Sequence, residues 1–268
     1  MKTADYTTVT ETWDQPASPE QLAMQHARYR TAGELAEGRR VLEIGCGSGM
    51  GIEYLRQRAA LAVGGDYTTA LVREARARVP GALLARFDAQ HLPFRDATFE
   101  VVLMLEMIYY LADLDQALRE CSRVLTPDGN LMISVPNKDR LDFNPSPFAV
   151  GYLAASELAT WLERNGFTAT VYGAFPIENG APRDRVLTPL RRFAVRHRLI
   201  PGSMQAKALV KRVLYGPLPK LGAIQDGVAE YPALVELDPA RGPHPGYKNV
   251  YAIGKKKPPH PGGRTDAG

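Results

Sequence analysis

Four glycines in seven residues, Gly45, Gly47, Gly49 and Gly51, follow an apolar run with nothing between them. The run, Val41, Leu42 and Ile44, has the aliphatic, β-branched character of a buried strand. A helical spacing opens directly behind the glycines with Ile52, Leu55 and Arg56. Strand, glycine turn and helix in that order restrict the chain strongly. Glycine takes positive φ at little cost and leaves no Cβ between backbone and ligand, and a helix start offers free N–H groups with a partial positive charge. The stretch predicts an α/β unit whose loop approaches a nucleotide-like ligand. A tight turn that binds nothing is the plainer alternative, and the density of glycine weighs against it.

The spacing separates two ligand types. A dinucleotide loop needs G-x-G-x-x-G, or alanine last, so that pyrophosphate can sit on the helix end. Counted from Gly45 and Gly47, that third position is Met50. The arrangement present is instead Glu43-x-Gly45-x-Gly47-x-Gly49, with Cys46 inside the loop and an acid two residues ahead of it. An acid beside the loop suits a ligand without phosphates. The pattern resembles motif I of the class I S-adenosylmethionine-dependent methyltransferases.

Three further segments fall in the order that this resemblance requires. Leu61 to Val63 run into Gly64-Gly65-Asp66, and the interval from Gly45 to Asp66 is close to the roughly 20 residues at which nucleotide folds place a ribose-binding acid. A carboxylate can accept from both ribose hydroxyls, whereas the plainer role for Asp66 is to cap the following helix; Thr68 or Thr69 can also cap it. Tyr67 stands next to it as a flank for the base. Leu83 to Phe87 end at Asp88-Ala89-Gln90-His91-Leu92-Pro93-Phe94. That run is similar to the family's adenine-binding segment, which implies that Asp88 takes the exocyclic amine and Ala89 offers its N–H. Arg123-Val-Leu-Thr-Pro-Asp-Gly129 resembles the family's helix-to-strand joint, a structural element. Ser18 with Gln21 reads as a capping box opening a helix to about Glu37. The resemblance implies that this helix packs over the methionine end of the cofactor, with Tyr29 near its middle; a packed tyrosine with its hydroxyl in water is the alternative.

The alternation of strands and helices predicts an α/β, Rossmann-like doubly wound sheet of seven strands, mostly parallel with the last antiparallel. The expected organisation is an N-terminal arm (1–20), a methyltransferase domain (21–177 and 246–254), a helical insertion between the last two strands (178–245) and a disordered, Pro/Gly/Lys-rich tail (255–268). The resemblance covers about 20–175 and 248–254. It implies S-adenosyl-L-methionine as cofactor, held by Tyr29, Glu43, Gly45, Cys46, Gly47, Gly49, Asp66, Tyr67, Asp88, Ala89 and Glu106. Glu106, at the end of the fourth strand, is the first candidate for a general base, with a cofactor or helix-cap contact as the alternative. Tyr109 is the second catalytic candidate, and Tyr110, Asn137 and Asp139 are candidates for binding the acceptor. The N-P-P-Y run that amide and exocyclic-amine methylases carry after this strand is replaced by Glu106-Met107-Ile108-Tyr109, which speaks against DNA adenine or glutamine methylation.

Charge and composition limit the remaining possibilities. The chain is +4 overall, yet residues 183–215 hold nine Lys/Arg against one acid, Asp184, so the rest is net acidic. Within that segment Leu187, Leu190, Phe193, Ala194 and Ile200 approximate one apolar face and Arg191, Arg192, Arg196 and Arg198 another. A solvated basic face is the bland reading; a lid over the acceptor is the first functional one, ahead of an RNA-facing patch or an anionic membrane surface. Two cysteines support neither a disulfide framework nor a zinc cluster, and no metal is expected. No apolar run approaches the ~20 residues that cross a bilayer, and the first 15 residues lack the apolar core of a signal peptide, so a cytoplasmic enzyme is expected. The function expected is methyl transfer to O or N of a small polar metabolite, sugar or natural product. RNA methylation through the insertion, or a non-catalytic cofactor-binding subunit, are the alternatives; nucleic acid and a membrane are disfavoured as partners.

Overall fold

The computed structural model describes residues 5–177 and 218–258. The strands are β1 (Arg40–Ile44), β2 (Leu61–Asp66), β3 (Leu83–Arg86), β4 (Phe99–Leu105), β5 (Leu125–Pro136), β6 (Phe167–Pro176), β7 (Val235–Glu236) and β8 (Tyr247–Lys256). The helices are α1 (Pro19–Ala36), α2 (Met50–Arg56), α3 (Thr69–Arg78), α4 (Leu114–Val124) and α5 (Ala155–Arg164). One sheet runs in the order β3-β2-β1-β4-β5-β8-β6-β7. Its first five strands are parallel, and β8 lies antiparallel between β5 and β6. The seven expected strands are present, and the two-residue β7 extends the β6 edge.

Side-chain alternation along the central strands sorts the core into two layers. Leu42, Val102, Met104, Leu131 and Ile133 pack with Leu118 and Cys121 of α4 and with Leu158 and Leu162 of α5. Their immediate neighbours Val41, Val101, Leu103 and Met132 pack on the other face with Ala32 and Ala36 of α1 and with Ile52 and Leu55 of α2. Neighbouring strand residues point to opposite faces, and both faces are covered, so these strands read as continuous apolar runs rather than alternating ones. The chain leaves β1 outward to β2 and β3 and then returns to β4 on the other side. The carboxyl ends of β1 and β4 therefore flank the switch point where open α/β sheets bind ligands.

Several boundaries differ from expectation. The Thr126-Pro-Asp-Gly129 turn is absorbed into β5 as an irregularity, with pairing jumping from Phe99↔Leu125 to Val101↔Asn130 and Asp128 at φ 61°. Lys255 and Lys256, assigned to the disordered tail by composition, complete β8: Lys256 donates to the carbonyls of Ser122 at 2.6 Å and Leu125 at 2.9 Å. The basic stretch 183–215 lies outside the described residues. The described remainder of the insertion, 218–245, returns to the domain, burying Leu221, Ile224 and Leu237. Within it, Pro219 and Leu221 exchange backbone hydrogen bonds with Asp14, Gln15 and Ala17 of the arm.

Candidate functional site

The glycine loop is held in place from both sides. Gly45 and Cys46 both donate their backbone N–H to the Gly65 carbonyl at the end of β2, at 2.8 and 3.0 Å. Gly45, Gly47 and Gly49 sit at φ 77°, 55° and 82°, a region that side chains with a Cβ rarely adopt. Asp66 closes the turn: its Oδ2 accepts from the Gly47 N–H at 3.1 Å and its Oδ1 from the Thr68 N–H at 2.8 Å. Thr68 is the N-cap of α3 by position, but its side chain makes no cap bond, so the carboxylate of Asp66 performs that local task. Burial raises the Asp66 pKa, and the backbone N–H groups of Thr68 and Gly47 oppose the shift.

These strand ends open on one cavity of about 640 Å³. At one end it is lined by Gly45, Cys46, Gly47, Asp66, Tyr67, Asp88, Ala89 and Gln90. Asp88 is oriented by its own turn, accepting from the Gln90 N–H at 2.9 Å. At the other end stand Arg28, Leu105, Glu106, Met107, Tyr109, Tyr110 and Ser146. Glu106 is held in the left-handed region at φ 57°. Its Oε1 accepts from Asn249 at 3.0 Å and Ser134 at 3.3 Å and faces the Arg28 guanidinium at 3.6 Å. Burial raises its pKa and Arg28 opposes the shift. Tyr109 stacks on Tyr152 at 4.6 Å and leans on Tyr110 at 4.5 Å. Burial, reinforced by the charge of Glu106, drives its phenol far above the ordinary range, so it stays protonated.

Eight of the ten residues expected to hold the cofactor, setting Glu106 aside, line this cavity; Glu43 and Gly49 do not. Glu43 is fully buried behind the loop, where Oε1 accepts from the Tyr29 hydroxyl at 2.6 Å and Oε2 is without a hydrogen-bond partner among the described residues. Burial pushes its pKa up to about 7. The Tyr29 hydroxyl is therefore engaged by an acid rather than by water. Its ring also explains Gly51, since a Cβ there would lie 1.8 Å from Tyr29 Cε1. Gly49 begins α2 where it crosses α3, and a Cβ on it would lie 2.9 Å from Ala75 Cβ. Asn137 and Asp139 are likewise absent from the cavity. Asn137 donates to the carbonyls of His244 and Tyr247, both at 2.8 Å, and Asp139 accepts from the His244 N–H at 3.0 Å. Both fasten the loop after β5 to the segment that leads into β8.

From sequence, Tyr6 and Trp13 of the arm are candidate anchors whose place relative to the site stays open, and Arg28 is missed. Tyr6, Val9, Thr10 and Glu11 line the cavity, the Trp13 indole donates to the Ser48 carbonyl at 2.8 Å, and the Thr10 methyl is the nearest atom to a Cβ placed on Gly47, at 3.1 Å. A signal was available: Gln21, Met24, Gln25 and Arg28 recur at helical spacing on one face of α1, and three of them, Met24, Gln25 and Arg28, line the cavity.

The lining matches a cationic ligand bearing hydroxyls and an amine. Each basic residue in the cavity wall is already paired: Arg28 with Glu11 and Glu106, Arg140 with Asp142, and Lys248 with Glu20. Asp66 and Asp88 bring negative charge beside the glycine loop, which disfavours pyrophosphate. The glycine positions leave only backbone there, with a Cβ at Gly45 meeting Met107 at 2.9 Å. The donor and acceptor set fits S-adenosyl-L-methionine.

Comparison with known proteins agrees with this geometry. Residues 42–133 match the model of a methyltransferase domain. A probable S-adenosylmethionine-dependent methyltransferase of Mycolicibacterium smegmatis is 37% identical over 145 residues, 52% of this chain and 56% of the relative. A Mycobacterium ulcerans protein named phthiotriol/phenolphthiotriol dimycocerosates methyltransferase 1 is 34% identical over 184 residues, 66% of this chain and 63% of that one. The chain thus matches little more than half the length of these relatives. Among solved structures, a Thermotoga maritima protein described as a SAM-dependent methyltransferase and possible histamine N-methyltransferase superposes with a TM-score of 0.56 at 17% identity, covering 89% of this chain and 94% of its own. That likeness establishes the fold.

Proposed function

From a chain built around a class I S-adenosylmethionine-dependent methyltransferase domain, we propose methyl transfer to an oxygen or nitrogen atom of a small organic molecule, with a hydroxyl as the preferred acceptor. One observation carries the reading. A single cavity joins the loop set of Gly45, Gly47, Asp66 and Asp88 to an end walled by Glu106, Tyr109 and Tyr110.

The cofactor supplies a methyl group already activated by its sulfonium. What this chain adds is position and proton handling. Asp66 and Asp88 are placed to accept hydrogen bonds from hydroxyl and amine groups, and Gly45 to Gly47 allow backbone contact. Met24, Leu105, Met107 and the tyrosine rings exclude water from the acceptor end. Orientation of this kind can contribute about 7 kcal/mol or more where it is optimal. Glu106 is the group for a hydroxyl proton: Asn249, Ser134 and Arg28 fix its carboxylate, and burial keeps its proton affinity above that of an ordinary glutamate. Tyr109, held protonated, serves as an aromatic wall and hydrogen-bond donor.

The acceptor end carries no unpaired basic residue among those described, so a neutral, partly apolar alcohol or amine suits it better than an anion. The name of the Mycobacterium ulcerans relative, a methyltransferase of phthiotriol and phenolphthiotriol dimycocerosates, supports an organic acceptor that is not a nucleic acid. The test is transfer of radiolabelled methyl from S-adenosylmethionine to a panel of phenols, aliphatic alcohols, amines and short RNAs. Small alcohols or phenols should be labelled, with Glu106→Gln slowing turnover ~10²-fold or more, the usual contribution of a general base. Labelling of RNA alone would overturn the reading.

A further inference from the structure

Arg28 stands between two acids that belong to different parts of the chain. Its Nη2 lies 3.6 Å from Glu11 Oε2 on the arm, and its Nη1 lies 3.6 Å from Glu106 Oε1 at the end of β4. The guanidinium is nearly buried, 13% exposed, and its Nε has no hydrogen-bond partner among the described residues. The other oxygen of Glu11 accepts from Gln21 Nε2 at 2.5 Å. Gln21 and Arg28 are two helical turns apart on α1 and so share a face. One helix face therefore grips the arm through Glu11 and the candidate base through Arg28.

We propose that Arg28 is a positioning residue that couples closure of the N-terminal arm to the charge on Glu106. The proposal rests on the methyl-transfer reading only in the role it gives Glu106. With the arm closed, Glu11 takes part of the field of the guanidinium, and Glu106 keeps the proton affinity that a base requires. With the arm open, Arg28 belongs to Glu106 alone, and the carboxylate is a weaker base. The coupling runs both ways, because linkage between two equilibria is reciprocal. Ionised Glu106 competes with Glu11 for one cation and loosens the arm; neutral Glu106 releases the cation to Glu11 and tightens it. The groups that face Glu106 are Arg28 on α1, Glu11 on the arm, Ser134 on β5, Asn249 and Tyr251 on β8, and Tyr109, Tyr110 and Tyr152 on the loops after β4 and β5. The tyrosines are all shifted upward by burial and so stay neutral through the acid range. Arg28 and Glu11 are then the charges that distinguish the two states.

The indole of Trp13 reports arm closure through its bond to the Ser48 carbonyl. The other tryptophan, Trp161, is engaged by Asp115 on α4 and is removed as Trp161→Phe. In that background acrylamide quenching of Trp13 is measured from pH 4 to 9 on the protein without cofactor or acceptor. Quenching should rise as Glu106 ionises, and this step should vanish in Glu106→Gln, which leaves any step from Glu43 in place. Glu11→Gln should remove the step and raise quenching at all pH values. Arg28→Met should do the same, with closure weakened roughly fivefold, the lower end for coupled sites, whereas Arg28→Lys should restore part of it. Carboxyl carbon NMR of Glu106 in Glu11→Gln should show its midpoint moved to lower pH. A pH-independent Trp13 signal in the parent, or an unmoved Glu106 midpoint in Glu11→Gln, overturns the coupling. Calorimetry with S-adenosylhomocysteine on the same variants keeps that failure distinct: loss of coupling with intact binding refutes only this inference, and absence of binding in the parent refutes the methyl-transfer reading.

Discussion

Glu43 shows how much a single buried acid can do from behind the loop, outside the cavity lining. It lies under the loop, bonded to Tyr29, with burial as the main cause of a pKa of about 7 and the nearby charge of Asp66 adding to it. Because the folded state holds this proton more tightly than the unfolded chain does, folding takes up protons between the ordinary glutamate range and about pH 7. The contribution of Glu43 to stability is therefore fullest below that range and falls as pH rises through about 7. Thermal unfolding followed from pH 5 to 8 should show this decline, and Glu43→Gln should flatten it; an unchanged slope in the variant would show that Glu43 is not its source. Gly51 is a second residue whose role is purely steric. Gly51→Ala drives a methyl into the Tyr29 ring, and a cost of about 1–3 kcal/mol is expected from overpacking, measurable as a lowered denaturation midpoint with an unchanged denaturant slope. The acid in the motif was legible from its spacing. Its distance from the cavity was not, because motif spacing gives position along the chain and not which side of the loop a side chain takes.

At the scale of elements, the segment 88–96 is held less by its own sequence than by α4. Arg123 donates to the carbonyls of Leu92 at 3.0 Å and Phe94 at 2.7 Å, and it pairs with Glu120 and Asp96. Glu120 in turn accepts from the Leu92 N–H at 2.7 Å. The Arg123-Val-Leu motif, read from sequence as a structural joint, thus also clamps the loop that carries Asp88 and Ala89. Arg123→Met should weaken S-adenosylhomocysteine binding about tenfold or more, since two bonds to a charged group are lost, although Arg123 is not among the residues that line the cavity; unchanged affinity would show that the loop holds itself. The order and type of the elements were legible because buried parallel strands, glycine turns and amphipathic helices each leave a local pattern. Residues such as Asn137 and Asp139 were misplaced because their partners, His244 and Tyr247, are more than 100 positions away, and no local pattern encodes so distant a contact.

At the scale of the whole molecule, one cavity is completed by the arm, and the arm is held by a segment about 200 residues further along the chain. The arm crosses it through Tyr6, Thr10 and Glu11, and the segment around Leu221 pins the arm by backbone bonds to Asp14, Gln15 and Ala17. Neither piece falls within the part of the sequence that carries the family resemblance. The glycine loop points to the cofactor class, whereas the cavity end walled by Glu106, Tyr109 and Tyr110 is assembled from parts with no motif of their own. Every functional role assigned above depends on the match between that loop and its ligand. Isothermal titration of the full chain with S-adenosylhomocysteine, beside Asp66→Ala and Asp66→Asn, tests it most directly. One site of micromolar affinity in the parent, weakened tenfold or more in both variants as roughly 1.5–3 kcal/mol of charged hydrogen bonding is removed, is the predicted result. A folded parent that binds neither S-adenosylhomocysteine nor S-adenosylmethionine would contradict it.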